Sequence, residues 1–105
     1  MLFIRTSEIP ELTCVFDYAL SGSFNQLIDN VDVSKLYYVC CMEAGAGLAS
    51  TISITNATTL AMYESLRAGV ARFFIVQPTG TSFNITGSTG GRYAYTTVWR
   101  VDDYV

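Results

Sequence analysis

The chain has 105 residues, of which 50% are hydrophobic and only 14% are charged, whereas an ordinary soluble domain has roughly 25% charged residues. This length fits a single domain, residues 1–105, with no room for a second core. The net charge of −3 and the scattered cations argue against nucleic acid as the main partner, and no basic amphipathic stretch indicates a membrane surface.

The N-terminal part predicts two strands. A short strand is expected over residues 2–6, and a longer one over residues 12–20, where aromatic and β-branched side chains are mixed. Strict alternation along the second strand would place four apolar side chains on one face, namely Leu12, Cys14, Phe16 and Tyr18.

A polar break and an ambiguous stretch come next. The small residues at 21–23 are expected to end the second strand. Residues 24–33 combine helical spacing of apolar residues with a strand-like alternation near their end. A short helix and an irregular loop therefore both stay open for this stretch.

The middle of the chain contains three strand candidates. Residues 36–42, LYYVCCM, form a continuous apolar run, which predicts a strand covered on both faces, and residues 43–47 form a flexible link. Residues 50–55 alternate, with both isoleucines on one face. Residues 70–77, VARFFIVQ, are the most apolar stretch and predict a strand that Pro78 and Gly80 close.

One helix is predicted over residues 57–68. Asn56 resembles an N-cap and Gly69 resembles a C-terminal cap. A spacing of three to four residues links Leu60, Tyr63, Leu66 or Arg67, and Val70.

The C-terminal part predicts a long hairpin. Its arms are residues 82–86 and 92–101, and its tip is the glycine-rich segment 87–91. A phosphate-binding loop is disfavoured, because Arg92 stands where such a loop has lysine and no helix follows. The fold class expected is β-rich α+β: an antiparallel sheet or sandwich of about six strands, with one helix and this hairpin.

An aromatic face on the last strand is the candidate interaction surface. Trp99 and the β-branched residues around it favour a place in the core, but if the face is exposed, its size indicates an interaction patch. Alternation puts residues 94, 96, 98 and 100 on the opposite face. The candidate interaction residues are Arg92, Tyr93, Tyr95, Thr97, Trp99 and Arg100.

The chain lacks the residue types on which most catalytic mechanisms depend. Histidine, the usual base for a nucleophile, is absent, and nothing near Lys35, the only lysine, activates it. Cys14, Cys40 and Cys41 lack metal-ligand spacing and are expected to be buried thiols, with the adjacent pair on opposite faces of a strand. We predict no catalytic residue, no cofactor and no metal.

The carboxylates are also expected to be structural. Asp17 lies in an apolar strand, where an ion pair with an arginine across the sheet is expected. The close pairs are expected to be solvated charges near the ends of elements: Glu8 with Glu11, Asp29 with Asp32, and Asp102 with Asp103.

The low charge favours a non-enzymatic assembly role, because each charge costs desolvation when an interface closes over it. We expect a structural subunit that packs against copies of itself or a larger protein assembly, such as a small virion component (a phage capsid or tail accessory protein). The alternative is a small β-rich module that binds carbohydrate or peptide through the aromatic face. An enzyme completed by a partner chain is a third hypothesis. With no secretory signal or transmembrane run, the expected location is a virion or the host cytoplasm.

Overall fold

The computed structural model describes residues 10–44, 51–65 and 69–104, which form six strands and contain no helix. The prediction of a β-rich antiparallel sheet is confirmed. The predicted strand at residues 2–6 lies outside the described residues. The strands are β1 (Pro10–Asp29), β2 (Tyr37–Ala44), β3 (Thr51–Thr55), β4 (Ala57–Ser65), β5 (Gly69–Pro78) and β6 (Ser82–Tyr104).

The sheet is antiparallel throughout, and its strand order is β1-β6-β2-β5-β4, with β3 also paired to β6. β6 runs through the centre of the sheet. Its first half pairs with β1 and β3, and its second half pairs with β1 and β2. β3 and β4 are separated only by Asn56, yet β3 pairs with β6 and β4 pairs with β5. This short connection brings distant parts of the sheet together, so the sheet curls and is nearly closed.

The predicted helix at residues 57–68 is wrong, since β4 occupies Ala57–Ser65, and residues 66–68 lie outside the described part. Asn56 has a φ of 66°, which is the left-handed region and not the extended backbone of an N-cap. Its carbonyl oxygen accepts hydrogen bonds from the amide and the hydroxyl of Thr79. Asn56 therefore makes a corner, after which the chain pairs with β5 instead of coiling.

The predicted C-terminal hairpin is also wrong, because β6 continues from Ser82 to Tyr104 through the glycine-rich segment 87–91. Gly87 pairs with Phe24 on β1 and with Ile52 on β3. The glycine-rich segment is thus the middle of a central strand.

β1 does not end at residues 21–23 but extends to Asp29, so residues 24–29 are neither helix nor loop. Gly22 is the extra residue of a β-bulge at this point and has a φ of 65°. Its amide donates a hydrogen bond to the Thr89 hydroxyl at 2.9 Å. A second bulge lies between Cys14 and Phe16, which pair with Trp99 and Val98. Cys14 and Phe16 consequently point to opposite faces, and the prediction that they share a face is wrong.

The core lies on the concave face, which we call the inner face. Alternate side chains of β2, β5 and β6 fill it, joined by side chains from the second half of β1. Glu43 belongs to β2, although it was expected in a flexible link, while residues 45–47 of that link lie outside the described residues. The most deeply buried side chains are Tyr37, Val39, Val76, Phe83, Ile85, Thr96 and Val98.

Candidate functional site

The other face of the same strands, which we call the outer face, carries rows of side chains set by the strand register. Each row crosses β6, β2 and β5 in that order, and β4 adds a fourth member at one side. The three central rows are Tyr95, Met42 and Ala71; Thr97, Cys40 and Phe73; and Trp99, Tyr38 and Ile75.

Large apolar side chains of the outer face are uncovered. Tyr63 is 68% exposed, Met42 61%, Tyr95 57% and Tyr93 55%. The rings of Tyr93 and Tyr95 lie 6.3 Å apart, centroid to centroid. The prediction that this face is core is wrong, because the core side of β6 carries residues 94, 96 and 98 instead.

β2 shows the same asymmetry. Its apolar run predicts a strand covered on both faces, and the inner face meets that expectation, since Val39 is fully buried. On the outer face Tyr38 and Cys40 are only half-buried and Met42 is exposed. The residues of β2 therefore have the composition of a strand buried on both faces, although the folded chain covers only its inner face.

The outer face carries almost no charge. Among the described side chains in its rows, Asp17 on β1 is the only charged one, and it stands at the border opposite Thr97. Asp17 is exposed and forms no ion pair with the described residues, so the expected pairing with an arginine is wrong. Binding of a charged ligand is thus disfavoured on this face.

A pocket of about 210 Å³ opens on the outer face beside Ala71. Its lining includes Met42, Tyr63, Phe73 and the inner-face residue Arg72, and nearly all of its exposed surface is apolar. The hollow arises because the small side chain of Ala71 lies beside the larger side chains of Met42 and Phe73. Small-molecule sites usually occupy roughly 300–1,000 Å³, so this pocket suits a single apolar side chain of a partner better.

One candidate arginine, Arg100, does not join this surface. Arg100 points to the opposite side from Trp99, where its Nε lies 2.5 Å from Oδ1 of Asp102. The side chain of Arg92 lies outside what the structure describes. Among the five candidate interaction residues whose side chains are described, the strand places four together on this face: Tyr93, Tyr95, Thr97 and Trp99.

Comparisons with family models, curated proteins and solved structures returned no match. In residues 10–44, 51–65 and 69–104, no group of three or more metal-capable side chains occurs. Within those same ranges, no helix is long and apolar enough to cross a membrane.

The cysteines sit in three different environments. Cys14 is exposed, which contradicts the expectation of a buried thiol, Cys40 is half-buried, and Cys41 is buried. Cys40 and Cys41 lie on opposite faces, as predicted. Burial raises the pKa of Cys40, and raises that of Cys41 to about 11, so neither is a ready thiolate at neutral pH.

Glu43 is a buried carboxylate that the sequence analysis missed. It is 2% exposed on the inner face, between Val70 and Ala94 of the neighbouring strands. Neither carboxylate oxygen has a hydrogen-bond partner among the described residues. Its position two residues after the buried Cys41 is the signal that could have revealed it, because alternate strand residues share a face.

Two further carboxylates, Asp102 and Asp32, have hydrogen-bond partners. Asp102 accepts hydrogen bonds from Arg100 and Thr13, which hold the pKa of its carboxyl below the usual range. Asp32 accepts from the hydroxyl and amide of Ser34, which lowers its pKa in the same way. A general acid needs a raised pKa, so neither group fits that role.

Proposed function

We propose that this protein is a non-enzymatic assembly subunit, which acts by packing its outer face against another protein subunit. The single observation that carries the proposal is the uncovered apolar outer face. Met42, Tyr63 and Tyr95 are each more than half exposed there, in a chain with only 14% charged residues. Exposed apolar patches of this kind mark interaction sites on soluble proteins.

The edge strand β4 adds a second contact surface. Within the described residues, β4 pairs with β5 and has no strand partner on its other side. Its side chains from Thr58 to Glu64 are exposed, including Leu60 and Met62. Natural edge strands are usually protected by lysine, proline or a covering element, so an apolar edge favours a covered position in an assembly.

A small virion component, such as a phage capsid or tail accessory protein, is the setting that we propose for this packing. The small size and the neutral, threonine-rich surface support this setting by analogy alone.

Size-exclusion chromatography with light scattering tests the proposal on the isolated chain. An oligomer whose mass rises with concentration is the expected result, because association buries the outer face. A monomer at every concentration that the protein tolerates would contradict self-assembly.

A carbohydrate-binding module is the second candidate, since the exposed rings of Tyr93 and Tyr95 could stack on a sugar. A monomeric chain that binds to a glycan array, and that loses this binding when Tyr93 and Tyr95 are replaced by alanine, would support it in place of assembly.

A further inference from the structure

The outer face carries a protrusion and a hollow in the same row, on either side of β2. Tyr95 on β6 and Ala71 on β5 both pair with Met42 in the strand register. The Tyr95 side chain is mostly exposed, whereas Ala71 lines the apolar pocket. Neighbouring strands lie about 4.8 Å apart, so the ring and the hollow are roughly 10 Å apart across the sheet.

A two-fold axis that runs along β2, between two facing copies, would bring these features together. Such an axis places β6 of one copy over β5 of the other and keeps every residue in its own row. Tyr95 of each copy then lies over the pocket of the other, and Met42 faces its own counterpart. An axis perpendicular to the strands would instead stack β6 on β6 and place the pocket against β5.

We propose that the outer face is the interface of a two-fold symmetric homodimer, in which Tyr95 of one copy fills the pocket beside Ala71 of the other. This inference rests on the proposed assembly function and deepens it by naming the partner, a second copy of this chain, and the register of the contact. Sheets that pack face to face in this way lie about 10 Å apart, with their side chains interdigitated.

The uncovered area fits a partner of this size. At roughly 150–250 Å² per aromatic side chain, the exposed fractions of Tyr63, Tyr93 and Tyr95 leave roughly 270–450 Å² uncovered on these three residues alone. Met42 and the half-buried residues of the rows add to that area. A stable interface uses about 800 Å² per partner, and these three side chains supply roughly a third to a half of it.

The charge distribution is compatible with a second copy as the partner. In the described rows of the outer face, the single charged side chain is Asp17 on β1, two strands away from the proposed axis. Two copies of the face can therefore meet along β2 without opposing like charges.

A mixing experiment with two charge variants tests the register. Tyr95→Glu and Ala71→Lys should each abolish the dimer when studied alone, because a charge enters an apolar contact without a partner. An equimolar mixture should form a heterodimer, in which one contact pairs the introduced carboxylate with the introduced ammonium and the other is the unaltered contact of Tyr95 with Ala71. Native mass spectrometry separates these species by mass.

Leu27→Glu is the matched control, since Leu27 is a 48% exposed apolar residue in the second half of β1, where it pairs with Asn84 outside the three central rows. This variant should remain a dimer. A wild-type monomer would contradict self-assembly and with it this dimer. A wild-type oligomer that either charge variant leaves intact, or that the mixture fails to restore, would overturn the Tyr95–Ala71 register alone.

Met42 supplies a second pair of variants in case Ala71→Lys fails to fold. Met42→Glu and Met42→Lys alter an exposed side chain, so folding should survive. If Met42 faces its own counterpart on the axis, each variant alone loses the dimer by like-charge repulsion, and their mixture recovers it. If the mixture does not form a dimer, the axis does not pass along β2.

Discussion

An added Cβ at Gly87 would lie 2.1 Å from the carbonyl oxygen of Thr51. Cβ atoms do not approach a backbone oxygen so closely, so β3 would have to move away from β6 for any other residue to fit. The same Cβ would lie 3.1 Å from the ring of Phe24 on the other side. The role of this glycine is therefore to let three strands approach each other at one point.

Gly87→Ala should destabilise the fold by about 1–3 kcal/mol, the usual cost of forcing extra atoms into a packed site. Chemical denaturation of the variant and the wild type measures the difference. Gly80→Ala is the control, because an added Cβ there meets nothing within 4 Å. Equal losses in the two variants would show that general backbone effects, and not the contact with Thr51, explain the result.

Glu43→Met should raise the free energy of unfolding by about 1–3 kcal/mol, since it replaces a buried carboxylate, which lacks partners among the described residues, with an apolar side chain of similar length. The comparison variant is Glu64→Met, which removes the ion pair with Arg72 and should not stabilise the protein. A loss of stability in Glu43→Met would indicate that the carboxylate has a favourable partner in the folded protein.

The stability difference between the wild type and Asp102→Asn should depend on pH. The pKa of Asp102 is lowered in the folded protein, chiefly by its hydrogen bond to Arg100 and then by Thr13. A lowered pKa stabilises the fold above the ordinary value of about 3.9, and this contribution disappears as the pH falls through the folded value.

Denaturation of the two proteins at a series of pH values checks this expectation. The wild type should be the more stable one near neutrality, and the two curves should converge in acid. Asp32 also has a lowered pKa, but it is present in both proteins and cancels in the difference. A difference that is constant across the series would rule out the carboxylate of Asp102 as its source.

The three thiols should react with a maleimide in the order Cys14, Cys40, Cys41. Cys14 is exposed, Cys40 is half-buried with a raised pKa, and Cys41 is buried with a pKa of about 11. Peptide mapping by mass spectrometry after timed labelling gives the order. In denaturant the three rates should become similar, and a Cys41 that reacts as fast as Cys14 in the native protein would contradict the burial described here.

The strands that could be predicted from the sequence are those whose hydrophobic pattern fits one environment. The run at residues 70–77 and the alternation around Ile52 and Ile54 correctly predict β5 and β3, and the adjacent Cys40 and Cys41 do point to opposite faces. Each of these predictions needs only local information, because a short apolar run or a two-residue alternation is contained within the strand itself.

The predictions that failed depend on contacts between distant residues. Leu60 and Tyr63 follow helical spacing, yet backbone pairing with β5 makes them part of a strand with both faces exposed. Gly22 and Gly87 are typical turn residues, yet a bulge beside Thr89 and a close approach to Thr51 account for them. Glycine indicates an unusual backbone requirement, but only the partner strand shows which one it is.

The sequence predicts an exposed interaction patch on the last strand only as the alternative to a buried, core position. The residues of this patch have the composition of a core, and a single sequence does not distinguish a side chain covered by its own chain from one covered by another subunit. Tyr93 and Tyr95 were therefore found as candidates, while the pocket beside Ala71 depends on three strands and was not predictable.

The pairing of β1 with β6 has a consequence for how the protein reaches its native state. These are the first and last strands described, and they pair from Pro10 with Tyr104 to Asp29 with Ser82. During synthesis on the ribosome, β1 cannot pair until β6 has been made, and by then the apolar β2 and β5 have already emerged. Contacts between residues so distant in sequence also form slowly. We expect that this delay makes the nascent chain dependent on holding chaperones, and that C-terminal truncations which shorten β6 lead to aggregation.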